Sequence, residues 1–521
     1  MSGGAGLQPY RLAPATRGRS PGRPPLVRRR GGAPGQGLLP DRERLIVYAL
    51  LAGLLVVVFA AGLKGLGAAR PLFILGCLGV AWRAWRVGPG LHIEVAITLF
   101  ALAPFLRRVV DFHAGYNPNG IMLIGPLAAL LVALPELRGL LLRRQRGLAV
   151  YAPYAIMIAC ILYGWSISAF QGDFVEAAVS GVKMLVPLLY AMCLIQKEND
   201  CNEIVQAAAR AFLFISPIIG VYGIYQYMHP PEWDRYWMIY SQMRSIGMPE
   251  ARQLRVFSTM NSPASFAMFV SCGLLLFGFC RRGWLPAVLA VPVCLSLLLT
   301  AVRTAWISVA IGVIYCFFFN TTRSRALLLT IGLFGAAAAA VLLTPFGDEI
   351  ATRLATLTGD PSQDGSGHER LQEFMRLYSD LDHYLFGNGL AGTKAIDPQL
   401  IGVDGQFVAS AVMMGIFVGN IHVLAMIWAG VQALVRVEPG ASPIWLVAAA
   451  VVIGNLAVLP LSIISSGEVG FPVWTFISLL TARQSTKART RQPAGPLMSE
   501  REWERQAEAI ARQSRRFGHG S

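Results

Sequence analysis

The stretch PFGDEIATRLATLTGDPSQDGSGHERLQEFMRLYSDLDHYLFGNGLAGTKAIDPQLIGVDGQ, residues 345–406, is a long polar interruption between strongly apolar runs. It carries Asp348, Glu349, Arg353, His368, Glu369, Arg370, Arg376, Asp382, His383, Lys394 and Asp404, and its acidic residues outnumber its basic ones. A connection of this length is usually functional or disordered. If its flanks cross a membrane, it lies on the side that the positive-inside rule leaves without excess Lys and Arg. The stretch therefore reads as the outward half of an active site.

Outward from it, the chain is apolar almost throughout. Of 521 residues 55% are hydrophobic and 14% charged, and mean hydropathy is +0.52. These figures argue against an ordinary soluble domain and fit a polytopic membrane protein. Backbone polar groups inside lipid must be satisfied within the protein, and long apolar runs without period-2 alternation select helices over a barrel. Candidate spans are 44–63, 69–85, 91–107, 119–137, 148–169, 175–195, 204–228, 257–279, 284–300, 303–320, 326–345, 406–435, 443–462 and 468–483. With about 20 apolar residues needed per crossing, the expected fold is all-α, with about 12–14 transmembrane helices and one long outward loop between late helices. The third and last runs are short and carry Glu94 and Glu468, which fits re-entrant or tilted segments.

Charge orients these spans. With a cytoplasmic N-terminus, the inner connections hold Arg83 and Arg86; Arg138, Arg143, Arg144 and Arg146; Lys197; Arg281 and Arg282; Arg323 and Arg325; and Arg436. This regular alternation checks the count, because one missed helix would move every later cluster to the wrong side. The domain plan is a disordered basic cytoplasmic tail over 1–43, a helical bundle over 44–345, the loop over 346–405, further helices over 406–483 and a cytoplasmic tail over 484–521. Net charge is +16, but a surplus placed in tails and alternate short loops reflects membrane topology, so nucleic acid is not an expected partner. The eight cysteines lie in or beside apolar runs without metal-ligand spacing and read as packing residues. No metal site is expected.

Basic residues also occur on the outer side, at Arg107 and Arg108 and again at Arg235, Arg244, Arg252 and Arg255. Topology does not explain them, and an anionic ligand would. Three patches concentrate such chemistry. In RVFSTMNSP (255–263), Arg255 adjoins Ser258, Thr259, Asn261 and Ser262, whose polar groups suit either capping or oxyanion binding at the start of a helix. In LTAVRTAW (299–306), Arg303 separates two apolar runs with no room for a real loop, so the turn is tight and the guanidinium lies near the outer interface. Its planar fork suits phosphate, although a snorkelling turn residue gives the same pattern. The long loop supplies His368, Arg370, His383 and Asp404, with Gly387 and Gly389 marking a turn that needs unusual φ or close backbone approach. Asp404 suits either a proton acceptor or a helix N-cap. His422, inside the next span, reads as a packing histidine.

Taken together, RVFSTMNSPASFA, LLLTAVRTAWI, DGSGHERLQEF, HYLFGNGLAGT and VDGQFVASAVMMGIFVG resemble the O-antigen ligase and Wzy-type polysaccharide polymerase family of bacterial membrane glycosyltransferases. The segment GIYQYMHPPEWDRYWM resembles members attributed to exopolysaccharide assembly. The resemblance covers about residues 205–435. It implies an enzyme of the bacterial inner membrane, with the loop periplasmic and the substrate glycan carried on undecaprenyl diphosphate. The glycan passes to an acceptor hydroxyl without cofactor or metal.

By position, Arg255 and Arg303 match family arginines expected to hold the diphosphate, and Arg370 matches a loop arginine. Asp404 stands where the ligases have a histidine, which points towards a polymerase. The expected catalytic set is Asp404, Arg303 and Arg255, with Arg370, His368, His383, Arg252 and Asn261 binding substrate. His368 and His383 are alternatives for the base. A chain-length regulator and export proteins are expected as further partners. A ligase acting on a lipid or protein acceptor shares the chemistry. A lipid-linked oligosaccharide flippase is the reading from another class, but internal repeats are not evident, and only Glu94, Lys183 and His422 suit a midplane site.

Overall fold

In the computed structural model the described residues are 39–139, 148–280, 284–343, 384–391, 405–438 and 440–483, with Met375 and Ser379. Among them every regular element of any length is helical. The helices are α1 (Leu39–Leu63), α2 (Ala69–Val87), α3 (Pro89–Ala114), α4 (Ile124–Leu131), α5 (Ala152–Phe170), α6 (Phe174–Ile195), α7 (Cys201–Met228) and α8 (Glu232–Ser241). They continue with α9 (Pro263–Cys280), α10 (Trp284–Leu299), α11 (Arg303–Phe317), α12 (Arg323–Leu343), α13 (Gln406–Met414), α14 (Ile416–Leu434), α15 (Pro443–Ala457) and α16 (Gly467–Ala482).

Among the described residues, five helical stretches are long and apolar enough to cross a membrane: Arg42–Leu63, Ala152–Phe170, Phe174–Ile195, Glu198–Met228 and Ile416–Leu434. Outer faces support the same class. Leu45, Val56 and Val57 on α1, and Leu328, Ile331 and Phe334 on α12, stand exposed in rows that water would not tolerate and lipid would cover. The protein is a helical, membrane-embedded chain. Its apolar core runs through α3, α5 to α7, α9 to α11 and α13 to α16, while α1 and α2 pack with α3 in a second cluster. Seven cysteines (Cys77, Cys160, Cys193, Cys201, Cys272, Cys294 and Cys316) are buried and free, as packing residues should be.

Each apolar run has a helical counterpart, but three differ in shape. The run over 119–137 breaks into a 3-10 turn, the short α4 and a second 3-10 turn at Leu134–Leu137. The run over 406–435 is cut at Gly415, whose φ of 83° no other residue type adopts easily. The third run continues as α3 to Ala114, so Arg107 and Arg108 lie in a helix and not in an outer loop. Glu94 on α3 is tolerated because Arg210 of α7 grips it through Nε (2.9 Å) and Nη2 (2.7 Å), with the Tyr48 hydroxyl also donating. A charge in such surroundings persists when it is paired and hydrogen-bonded.

Candidate functional site

The site begins with a turn. α10 ends at Leu299 and α11 starts at Arg303, which leaves three residues to reverse the chain. Ala301 takes a left-handed φ of 53°, a conformation that costs a residue with Cβ about 1–2 kcal/mol. Arg255 holds it there. Its Nε donates to the Thr300 carbonyl (3.0 Å), Nη2 to that of Ala301 (3.1 Å) and Nη1 to that of Ser245 (3.2 Å). Thr300 closes the turn from inside, donating to the Leu297 carbonyl and accepting from the Val302 N–H. Two cationic patches far apart in sequence are thereby joined.

The segment before α9 is built with similar care. Ser258 has a φ of 49°, and the buried Gln226 amide oxygen accepts from the N–H groups of Phe257 (3.1 Å) and Ser258 (2.7 Å). Ser262 then caps α9, its Oγ accepting from the Ser265 N–H (3.1 Å), with Pro263 at the first helical position. Capping is one of the two uses that the sequence leaves open for this hydroxyl. Thr259 and Asn261 stay buried, and Thr259 Oγ1 and Asn261 Oδ1 find no hydrogen-bond partner among the described residues.

Arg108 supports this segment from beneath. Fully buried, it donates to the carbonyls of Met260 (2.8 Å) and Ser258 and lies 3.2 Å from Asp234, which is equally buried. Asp234 also accepts from Tyr222 (2.8 Å) and Gln226 (2.6 Å). Burial raises the Asp234 carboxyl above its ordinary range, with the Arg108 guanidinium opposing. Arg107 pairs with Asp111 (3.2 Å), donates to the Asn117 carbonyl (2.6 Å) and stacks on Trp237 at 4.6 Å. Both guanidiniums serve the scaffold, so the surplus of outer arginines expected to meet a ligand shrinks by these two.

Arg255 and Arg303 face one cavity of about 430 Å³. Its walls also include Lys183 of α6, Ser245, Ser262, Ser462 and Ser466 and, as the single carboxylate among the described residues, Glu468. Three helix N-termini meet there: Ser262 and Pro263 of α9, Val302 and Arg303 of α11, and Ser466 and Gly467 of α16. A helix N-terminus carries unsatisfied N–H groups and about half a positive charge. Three of them, with two guanidiniums and an ammonium, gather positive charge on one cavity, an arrangement whose chemistry suits a multiply charged anion.

The remaining expected residues fall differently. Arg252 is exposed, with a φ of 65° and its N–H bonded to the Tyr227 carbonyl (2.9 Å), and it does not line the cavity. Asn261 adjoins the cavity-lining Ser262 in sequence. His368, Arg370, His383 and Asp404 lie outside the described residues. The residues that follow Asp404 are described. Gln406 is buried, its N–H donates to the Leu459 carbonyl (2.9 Å), and its Oε1 accepts from the N–H groups of Ile464 (3.0 Å) and Ser465 (3.2 Å). That amide fixes the segment whose Leu461, Ser462 and Ile463 form a wall of the cavity. Gly387 (φ 82°) and Gly389 (φ 79°) have the conformations expected of them, pressed against Met414 and Ser168.

Sequence reasoning missed what the 461–468 segment and Lys183 contribute. It treats Lys183 only as a midplane candidate and Glu468 only as a flaw in the last span. The available signal was a lone ammonium in a 22-residue apolar helix and a Ser-Ser-Gly-Glu run opening another. No family model matches the chain, and no curated protein matches it.

Proposed function

We propose that this protein is a membrane glycosyltransferase that polymerises polyprenyl-diphosphate-linked oligosaccharide repeat units into exopolysaccharide or O-antigen on the periplasmic face of a bacterial inner membrane. The observation that supports it is the meeting of Arg255, Arg303, Lys183 and three helix N-termini on one cavity. A diphosphate is the ligand whose charge and size match that many fixed donors. When an acceptor hydroxyl attacks the anomeric carbon, the bond to the diphosphate oxygen breaks and negative charge gathers on the leaving group. Donors already in position stabilise that charge, each by about 3–4 kcal/mol. A single displacement inverts the anomeric configuration. Asp404 is the proton acceptor that the sequence nominates, and Gln406, two residues on, is tied to Leu459, Ile464 and Ser465 in the segment that walls the cavity.

Purified protein incubated with lipid-linked repeat units, without added metal or nucleotide, should yield a ladder of longer lipid-linked glycans. Transfer to a lipid or protein acceptor with no ladder would identify a ligase. Unchanged substrate would overturn the proposal.

A further inference from the structure

We infer that Glu468 is the carboxylate that receives the acceptor's proton, a role the sequence reading assigns to Asp404; the inference rests on the transferase reading above. Among the described residues lining the cavity, Glu468 is the only acidic group. Its carboxylate has no hydrogen bond or ion pair among the described residues, whereas Glu94, Asp111 and Asp234 are each engaged by an arginine. The charged groups sharing its cavity are Lys183 from α6, Arg255 from the segment before α9 and Arg303 from α11. Glu468 also borders a small apolar recess beside Phe100, Pro104, Leu123 and Leu127, from which charged groups other than Lys183 are absent among the described residues.

The chamber thus holds donors for a leaving anion together with a carboxylate to accept a proton. Displacement needs this pairing. The acceptor O–H proton moves to the Glu468 carboxylate as its oxygen bonds the anomeric carbon. The electron pair of the breaking C–O bond leaves with the lipid diphosphate, which the cations hold. Glu468 then passes that same proton to the released diphosphate or to water, which regenerates the carboxylate.

An acidic residue in the first turn of a helix also has a simpler use, offsetting the helix dipole of α16. The two uses separate by experiment. Glu468→Gln and Glu468→Asp should be compared with the parent for carrier-lipid diphosphate affinity, transfer rate across pH and thermal stability, with Asp404→Asn alongside. A proton acceptor contributes about 10²- to 10⁴-fold. The expected result is a Gln variant that binds undecaprenyl diphosphate within about threefold of the parent, transfers at least 10²-fold more slowly and loses the acid limb of the pH–rate profile, with Asp recovering part of the rate. A Gln variant with the parental rate and pH profile overturns the role of Glu468. Loss of the acid limb in Asp404→Asn alone also overturns it and moves the base to Asp404. Absence of transfer by the parent would fault the transferase reading, an outcome distinct from both.

Discussion

Replacing Asp234 with Ala would strand Arg108. The guanidinium sits at zero exposure, with two of its groups on the Met260 and Ser258 carbonyls and Asp234 as its anionic partner. Removing one partner of a buried ion pair typically costs about 3–5 kcal/mol, because the other charge stays behind uncompensated. Tyr222 Oη also loses its acceptor, and Gln226 Nε2 keeps only its longer bond to the Ser258 carbonyl (3.3 Å), so the upper end of that range is expected. Removing both charges is a milder change. Asp234→Ala with Arg108→Met should cost clearly less than the sum of the single variants, a coupling of at least about 1.5 kcal/mol. The assay is reversible unfolding in detergent followed by tryptophan fluorescence, with Trp233 and Trp237 close to the change. Because Arg108 holds the Ser258 and Met260 carbonyls, Asp234→Ala should also weaken diphosphate binding although Asp234 does not line the cavity. Additive single and double variants, or an Asp234→Ala protein within 1 kcal/mol of the parent, would refute the reasoning.

Arg255 and Arg303 should behave differently when cut to Ala. Arg303→Ala is expected to reduce transfer about 10²- to 10³-fold with little change in Tm, whereas Arg255→Ala also frees three carbonyls and should lower stability by about 2 kcal/mol or more in the same unfolding assay. Gln406→Leu leaves the buried Ile464 and Ser465 N–H groups unmatched, at about 1–3 kcal/mol each, and Gln406→Glu, which keeps both acceptor bonds, should recover most of that loss. Gly389→Ala adds a Cβ 2.7 Å from the Ser168 nitrogen at a φ of 79°, and is expected to destabilise by about 2–4 kcal/mol and to speed proteolysis near residue 389.

The long apolar runs alone specify the helical membrane class, since in lipid the helix satisfies its own backbone and leaves little choice. They also locate the α10 to α11 turn, because too few residues separate two runs to form anything else. Gly387 and Gly389 are legible for a similar reason: their freedom in φ is written in their chemistry. Arg255 and Arg303 stand out as cations at the edges of apolar runs. Their shared cavity does not, because the forty-seven positions between them say nothing about which helix ends meet.

Local composition decides what each segment can be, and for this chain that means helices, tight turns and cations near one boundary. Which of those cations serves a ligand depends on long-range packing. Arg108 looks like Arg303 in the sequence, yet Asp234, more than a hundred residues away, neutralises it within the scaffold. Lys183 and Glu468 look like blemishes in apolar spans until α6 and α16 pack together and turn both towards the chamber. An unpaired charge near lipid is costly, so its meaning lies in what stands opposite, and only the folded chain determines that.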